Sequence, residues 1–379
     1  MRLIKNTKLY TPEFIGEKDI LIGAEKILLI EDKIDLILPG LEVIDAQGKI
    51  VTPGLIDQHI HVTGAGGQKG FASMTPPIEL SQLIACGTTT VMGLLGTDGS
   101  TKSLQALYAK VKGLDQEGIT AYMLTSYFAY PPLTLMESVR DDIMFIDKII
   151  GCKIALSDER SSFPSATELL RIIGDIHVAG LLTQKKGILH VHLGGHKPGM
   201  ELLLELVEKY QAPIRRISPT HVGRTKDLFN QAVRFAKLDG MIDISTGGTQ
   251  FAQPYEQVLY ALEQGVSMDN MTLSSDGNAG VMKKDEKGNI IGYRRAPIDL
   301  NLKQVVKLIG EGVDISEAFK LITSSPATNL SLPNKGSIAV GKDADFCFFD
   351  ESLQLTDVIA KGEIMMRDKV LIKKGTFEE

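Results

Sequence analysis

Apolar residues change their spacing twice along this chain. In the first fifty residues they come in short runs, Ile20 to Ile22, Ile27 to Ile30 and Ile34 to Leu38. Charged or turn residues such as Gly23-Ala24-Glu25-Lys26 and Glu31-Asp32-Lys33 separate them. Short apolar runs between turn signals mark strands. The last fifty residues have the same texture in Ile338 to Val340, Ala344 to Phe349, Val358 to Lys361, Ile364 to Met366 and Val370 to Ile372. Neither end carries a long helical period, so both read as β-rich pieces.

Between the ends, strands alternate with helices. The expected strands are Ile50–Val62, Thr88–Leu95, Ile119–Ser126, Lys153–Ser157, Gly187–Leu193, Ile214–Val222, Met241–Ser245 and Met271–Ser275. The gaps hold amphipathic stretches, clearest in Lys102–Leu114, Ser138–Ile150, Ala166–Ile176, Pro198–Tyr210 and Lys226–Leu238, where Leu, Ile and Val recur at three- and four-residue spacing. Leu302–Ile309 and Ser316–Ile322 follow as closing helices. Eight such units predict an α/β fold, a (β/α)8 TIM barrel. The barrel is expected over residues 51–330. Segments 1–50 and 331–379 each have too little apolar content for a core of their own, so they are expected to merge into one small composite β-sandwich domain.

In a parallel barrel, functional groups collect where the strands end. The first expected strand ends Asp57-Gln58-His59-Ile60-His61. Side chains alternate along a strand, so His59 and His61 share a face and two imidazoles can meet one cation. Strand five ends at His192, strand six at His221 and strand eight at Asp276, while Lys153 opens strand four. The chain has only seven histidines, and four of them fall on this one rim. Imidazole and carboxylate without thiolate suit zinc, with manganese or iron as alternatives. His190 is in phase with His192 and reads either as a supporting group or as a core residue.

Composition narrows the classes. Acids and bases are mixed along the chain and the net charge is −6, so no basic footprint for nucleic acid exists. No apolar run approaches the roughly 20 residues that span a bilayer, and Met1 to Phe14 lacks a signal-peptide core. The three cysteines, Cys86, Cys152 and Cys347, form neither a disulfide framework nor a CxxC site. A soluble, cytoplasmic protein with no membrane or nucleic-acid partner is expected.

The strand-one HxH, the histidines on strands five and six and the aspartate on strand eight resemble the amidohydrolase superfamily. Longer stretches are more specific: Pro53-Gly54-Leu55-Ile56-Asp57-Gln58-His59-Ile60-His61, Gly93-Leu94-Leu95-Gly96-Thr97-Asp98, Ile154-Ala155-Leu156-Ser157-Asp158, Pro219-Thr220-His221-Val222 and Leu273-Ser274-Ser275-Asp276-Gly277-Asn278. These resemble isoaspartyl dipeptidases, and the likeness runs to Lys374-Gly375-Thr376-Phe377-Glu378. It implies two Zn2+ ions bridged by a carboxylated Lys153, with His59 and His61 on one ion, His192 and His221 on the other, and Asp276 as a further ligand. It also implies cleavage of the β-aspartyl amide of a dipeptide by a metal-bridging hydroxide, Asp276 acting as general base and then acid, in a homo-oligomer.

By the same resemblance, Gly66, Gln68, Thr97, Phe128, Arg160, Arg224 and Gly280 line the substrate. Arginine forks suit the substrate's carboxylates, and the loop Gly64-Ala65-Gly66-Gly67 permits close backbone approach. Three positions depart from the family pattern: Gln68 stands for a glutamate that pairs with the substrate ammonium, Phe128 for a tyrosine that polarises the carbonyl, and Gly280 for a serine. Those departures leave room for a related hydrolase of cyclic amides or N-acyl amino acids. A non-catalytic scaffold is a weaker alternative, since every ligand position is filled.

Overall fold

A computed structural model describes residues 1–248, 250–285, 287 and 289–378. Its centre is an eight-stranded parallel sheet in sequential order. The strands are Leu55–Ile60, Thr88–Gly93, Thr120–Thr125, Ile149–Leu156, Ile188–Leu193, Ile217–Thr220, Ile242–Ser245 and Met271–Ser274, here numbered one to eight. A parallel bridge between Ile60 and Gly277 closes the sheet into a barrel. Helices such as Leu104–Glu117, Ala166–Thr183 and Lys226–Lys237 cover its outside. Their buried faces, for instance Leu107, Val111 and Leu114 or Leu228, Phe229 and Ala232, form one large core with the outward side chains of the strands.

The barrel interior is layered. An apolar floor of Ile56, Met92, Leu124, Ile150 and Ile188 is capped by Ala327 and Leu330 of the helix Ser324–Leu330. Above it lies a buried polar layer containing Gln58, His190, Ser218, Asp243, Thr272 and Asn329. Most of the expected site residues stand above that, at or beyond the strand ends, while Lys153 lies at the level of His190.

Both chain ends join one sheet of nine strands. Ile50–Pro53 is the seam: it runs parallel to Arg2–Tyr10 and antiparallel to Phe346–Phe349. The expected strand Ile50–Val62 is therefore two strands that break at Gly54. A Cβ at Gly54 would lie 2.2 Å from Thr89 Oγ1, so only glycine lets the chain pass from one sheet to the other. The terminal sheet thus reaches Pro53, three residues beyond the expected boundary at residue 50. The sandwich has its own core around Ile4, Leu9, Ile20, Val51, Phe346 and Phe348.

Two other expectations are corrected. The amphipathic stretch Ser138–Ile150 yields only the helix Val139–Phe145, and strand four starts early, at Ile149. Lys153 consequently lies inside strand four rather than opening it. An antiparallel ribbon, Gly280–Lys284 with Ile290–Arg295, follows strand eight and was not expected. Its exposed Ile290 and Ile291 leave no alternating buried face to read in the sequence.

Lys335 joins the last barrel helix to the terminal sheet. Its amine is nearly fully buried between Asp343 (2.9 Å) and Asp345 (2.5 Å). Removing one partner of a buried pair strands the other charges, so Lys335→Ala is expected to cost about 3–5 kcal/mol in guanidinium unfolding. Lys26, which meets the same Asp343 from a half-exposed position, should cost under about 1 kcal/mol on the same change. Equal losses would contradict this division.

Candidate metal centre

Four barrel strands leave the rim through non-glycine residues of positive φ: Ser126 (68°), Ser157 (53°), His221 (61°) and Asp276 (48°). Each such residue costs on the order of 1–3 kcal/mol, and strain of this kind gathers where side chains must be aimed. Here it turns His221 and Asp276 inward against strand one.

The structure brings all six expected ligands together. Donor atoms of His59, His221 and Asp276 lie within 4.8 Å of one another. Asp276 Oδ1 is 3.2 Å from His61 Nε2 and 3.4 Å from His59 Nε2. Lys153 Nζ sits 3.4 Å from His59 Nε2 and donates to Leu95 O at 2.9 Å. The His192 and His221 rings are 4.5 Å apart. Ser245 engages His221 Nδ1, leaving Nε2 for the centre. Asp158 engages His192 Nε2 at 3.0 Å, leaving Nδ1. His61 Nδ1 is buried without a hydrogen-bond partner among the described residues.

Burial decides the charges. It holds His59, His190 and His221 well below the usual imidazole range, lowers His61, and brings His192 down to about 3. All five rings are neutral at neutral pH, the form that ligates cations. Burial also brings the Lys153 amine from 10.5 to about 7. For Asp276 burial acts upward, but His221 and the bonds to His59 and His61 outweigh it and keep the carboxyl well below its ordinary value.

The expected substrate residues divide into three groups. Phe128 is buried with its ring 4.2 Å from His192, and Arg160 stacks beside it with Cζ 5.3 Å from the Phe128 ring. Arg160 is also held at both ends by Asp158, at 2.7 and 2.6 Å. Arg224 donates Nε to Leu193 O at 2.7 Å. Opposite them, Gly66, Gln68 and Gly280 meet: Gln68 Nε2 donates to Gly280 O at 2.7 Å, and a Cβ at Gly280 would come within 2.8 Å of Gly66 Cα. Thr97 is half-buried in the loop after strand two, next to Gly96, whose missing Cβ would lie 3.5 Å from His61.

Several working residues escaped the sequence reading. Asp158 orients both His192 and Arg160; its signal was an acid directly after strand four and two residues before an arginine. Ser245 and the buried Asp57–Ser275 pair carried no spacing signal. His190, left open between two roles, bonds His59.

A model described as the amidohydrolase family matches residues 42–98 and 199–365. The chain belongs to the amidohydrolase family. Within it, the likeness to isoaspartyl dipeptidases holds over the full length. A β-aspartyl dipeptidase of Fervidobacterium islandicum AW-1, solved with a β-Asp-Leu dipeptide, is 41% identical with a TM-score of 0.92, covering all of both chains. A second structure of a β-aspartyl dipeptidase from that organism gives 39% and 0.90. D-Hydantoinases, such as one from a Thermus species at 19% identity and TM-score 0.72, share the fold alone. Among curated relatives, an adenine deaminase of Clostridium perfringens is 25% identical across the whole chain, which spans only 61% of that protein. A dihydroorotase of Lactobacillus johnsonii is 24% identical, covering 92% of this chain and 88% of its own.

The buried imidazoles make a prediction for protein stripped of metal. Their folded values lie below the ordinary 6.5. Between those values the unfolded chain binds more protons, so stability rises with pH. Asp57, raised by burial to about 7, and Asp243, also raised, act oppositely, but they are two groups against five. Chelator-treated protein should therefore melt at progressively lower temperature as pH falls from about 7 to about 5 in scanning calorimetry. A rising melting temperature over that window would contradict the assignment.

Proposed function

We propose that this protein is a binuclear-zinc hydrolase that cleaves the β-aspartyl amide bond of dipeptides. The observation that carries the reading is the convergence of the six expected ligands in a chain that matches, end to end, a relative solved with β-Asp-Leu. The donor set fits zinc: neutral imidazoles, one carboxylate and no thiolate. The partnerless His61 Nδ1, among the described residues, marks a centre whose polar atoms are not all satisfied by protein alone. His59 and His61 would hold one ion, His192 and His221 the other, with Lys153 between them and Asp276 beside them. Lys153 suits carboxylation, because an amine near pH 7 has the free electron pair that attacks carbon dioxide, forming an N–C bond and releasing one proton. When bound, the ions supply an acidified water and polarise the scissile carbonyl.

The chain's own groups do the rest. Asp276, ionised and aimed into the mouth, takes a proton from the attacking water and returns it to the departing amine. Arg160 and Arg224 present guanidinium groups to the substrate carboxylates, Arg160 braced by Asp158. Phe128 brings no hydroxyl to the carbonyl, so it packs His192 and excludes water. Gln68 offers no charge to an ammonium, and its amide is already engaged with Gly280. Gly66 and Thr97 complete the walls. The cyclic-amide and N-acyl alternatives are less favoured, since the D-hydantoinase relatives share only the fold at 15–19% identity. A homo-oligomer in the cytoplasm is part of the same proposal. The three cysteines are unpaired, and no described helix is long and apolar enough to cross a membrane.

The test is the hydrolysis rate of zinc-loaded protein on β-aspartyl-leucine beside α-aspartyl-leucine and N-succinyl-leucine. Turnover of the β-linked dipeptide alone is expected, and Asp276→Asn should lower kcat by about 10²–10⁴-fold. Preference for the amine-free analogue would move the assignment to N-acyl amino acids.

A further inference from the structure

Below the centre, a chain of buried hydrogen bonds runs down through the barrel from His59. His59 Nδ1 and His190 Nε2 are 2.8 Å apart, and His190 Nδ1 is 3.2 Å from Ser218 Oγ. Asn329 Nδ2 donates to Ser218 Oγ and to Gln58 Oε1, both at 2.9 Å. Gln58 Nε2 donates to Asp243 Oδ1 at 2.8 Å. Asp243 also accepts from Thr272 (2.8 Å), Thr220 (2.6 Å) and Ser274 (2.6 Å). Strand register builds this layer, placing Lys153, His190 and Ser218 at one level on strands four, five and six. Every one of these side chains is buried.

We infer that His190 is a positioning residue that holds His59 as its Nδ1–H tautomer and so keeps His59 Nε2 free for a metal ion. The argument is one of donor counting, and it rests on the reading of His59 as a ligand. Only one hydrogen fits between His59 Nδ1 and His190 Nε2. An ion on His59 Nε2 requires that hydrogen on Nδ1, so His190 accepts it at Nε2 and carries its own hydrogen on Nδ1. Ser218 Oγ then takes His190 on one lone pair and Asn329 on the other. Asp243 sets the direction of the lower half. With four donors converging on it, it acts as an acceptor, which turns the Gln58 amide nitrogen toward it and Gln58 Oε1 toward Asn329. The oxygen of a flipped Asn329 would face the Gln58 oxygen. With one hydrogen shared at 2.8 Å and one on His190 Nδ1, each imidazole carries a single hydrogen. A ligating histidine is ordinarily oriented through its second nitrogen by a carboxylate or a carbonyl; here another histidine takes that place.

His190→Leu, similar in bulk and without an acceptor, leaves the His59 N–H stranded. The expected result is an approximately 10–100-fold weaker zinc affinity for the ion at His59, read by competition with a chromogenic chelator. Long-range proton–nitrogen spectra of histidine-labelled, zinc-loaded protein should show His59 as the Nδ1–H tautomer, a signature lost in His190→Leu. His190→Gln, whose amide can accept from His59 and donate to Ser218, should restore most of the affinity. If His190→Leu does not fold, Ser218→Ala decides: it spares both rings and should weaken zinc in the same direction. Wild-type affinity with an unchanged His59 signature in whichever variant folds overturns the inference. Wild-type protein that binds no zinc overturns instead the reading of His59 as a ligand.

Discussion

Five imidazoles, a lysine amine and several carboxyls are packed into the barrel mouth and the layer beneath it, nearly all beyond the reach of water. A buried polar group that finds no partner costs several kcal/mol at most reference states, and a bare charge costs more. The architecture below the mouth answers that constraint. The four donors on Asp243 and the Gln58–Asn329–Ser218–His190 chain satisfy one another, leaving Asn329 Oδ1 without a partner among the described residues. At the level of the centre, among the described residues, His61 Nδ1 has no partner and the Lys153 amine is held by Leu95 O alone of the backbone carbonyls. Above this support the neutral imidazoles and the Asp276 carboxylate gather donor atoms of the kind that suit a cation.

The rim divides its labour between rigid and adaptable parts. His59, His190 and His192 stand on strand interiors, where the ladder holds the backbone. His221 and Asp276 sit just past strand ends in left-handed conformations, which bends them over the barrel axis. The residues proposed to face substrate lie on loops, and several are steadied by a neighbour: Arg160 by Asp158, Arg224 by Leu193 O, Gln68 by Gly280 O. Asp158 is the hinge of this arrangement because one carboxylate serves both a ligand and a recognition arginine.

The barrel and the positions of the expected ligands were legible because two periods carry the information. Alternation along strand one set His59 and His61 on one face, and the strand-to-helix rhythm located the ends that bear His192, His221 and Asp276. Lys153 was misplaced within its strand because Ile149 and Ile150 satisfy a helix period as well as a strand. The Gly54 break is hard to read because Ile50-Val51 and Leu55-Ile56 flank Pro53-Gly54 like two halves of one strand, while the close contact with Thr89 forces the division. The supporting chain was illegible in principle: Asn329, Ser218 and Gln58 are far apart in sequence, and no local pattern announces that they meet. The recognition roles expected of residues such as Gln68 and Phe128 come from family likeness alone, since loops carry no period.

The central claim is that this rim holds two metal ions at the named residues, and anomalous diffraction from zinc-loaded crystals at the zinc absorption edge addresses it directly. The account predicts two peaks, one touching His59 and His61 and the other His192 and His221, with continuous density from Lys153 reaching between them. A single peak, peaks at other residues, or an unmodified Lys153 amine lying between two occupied sites would contradict it.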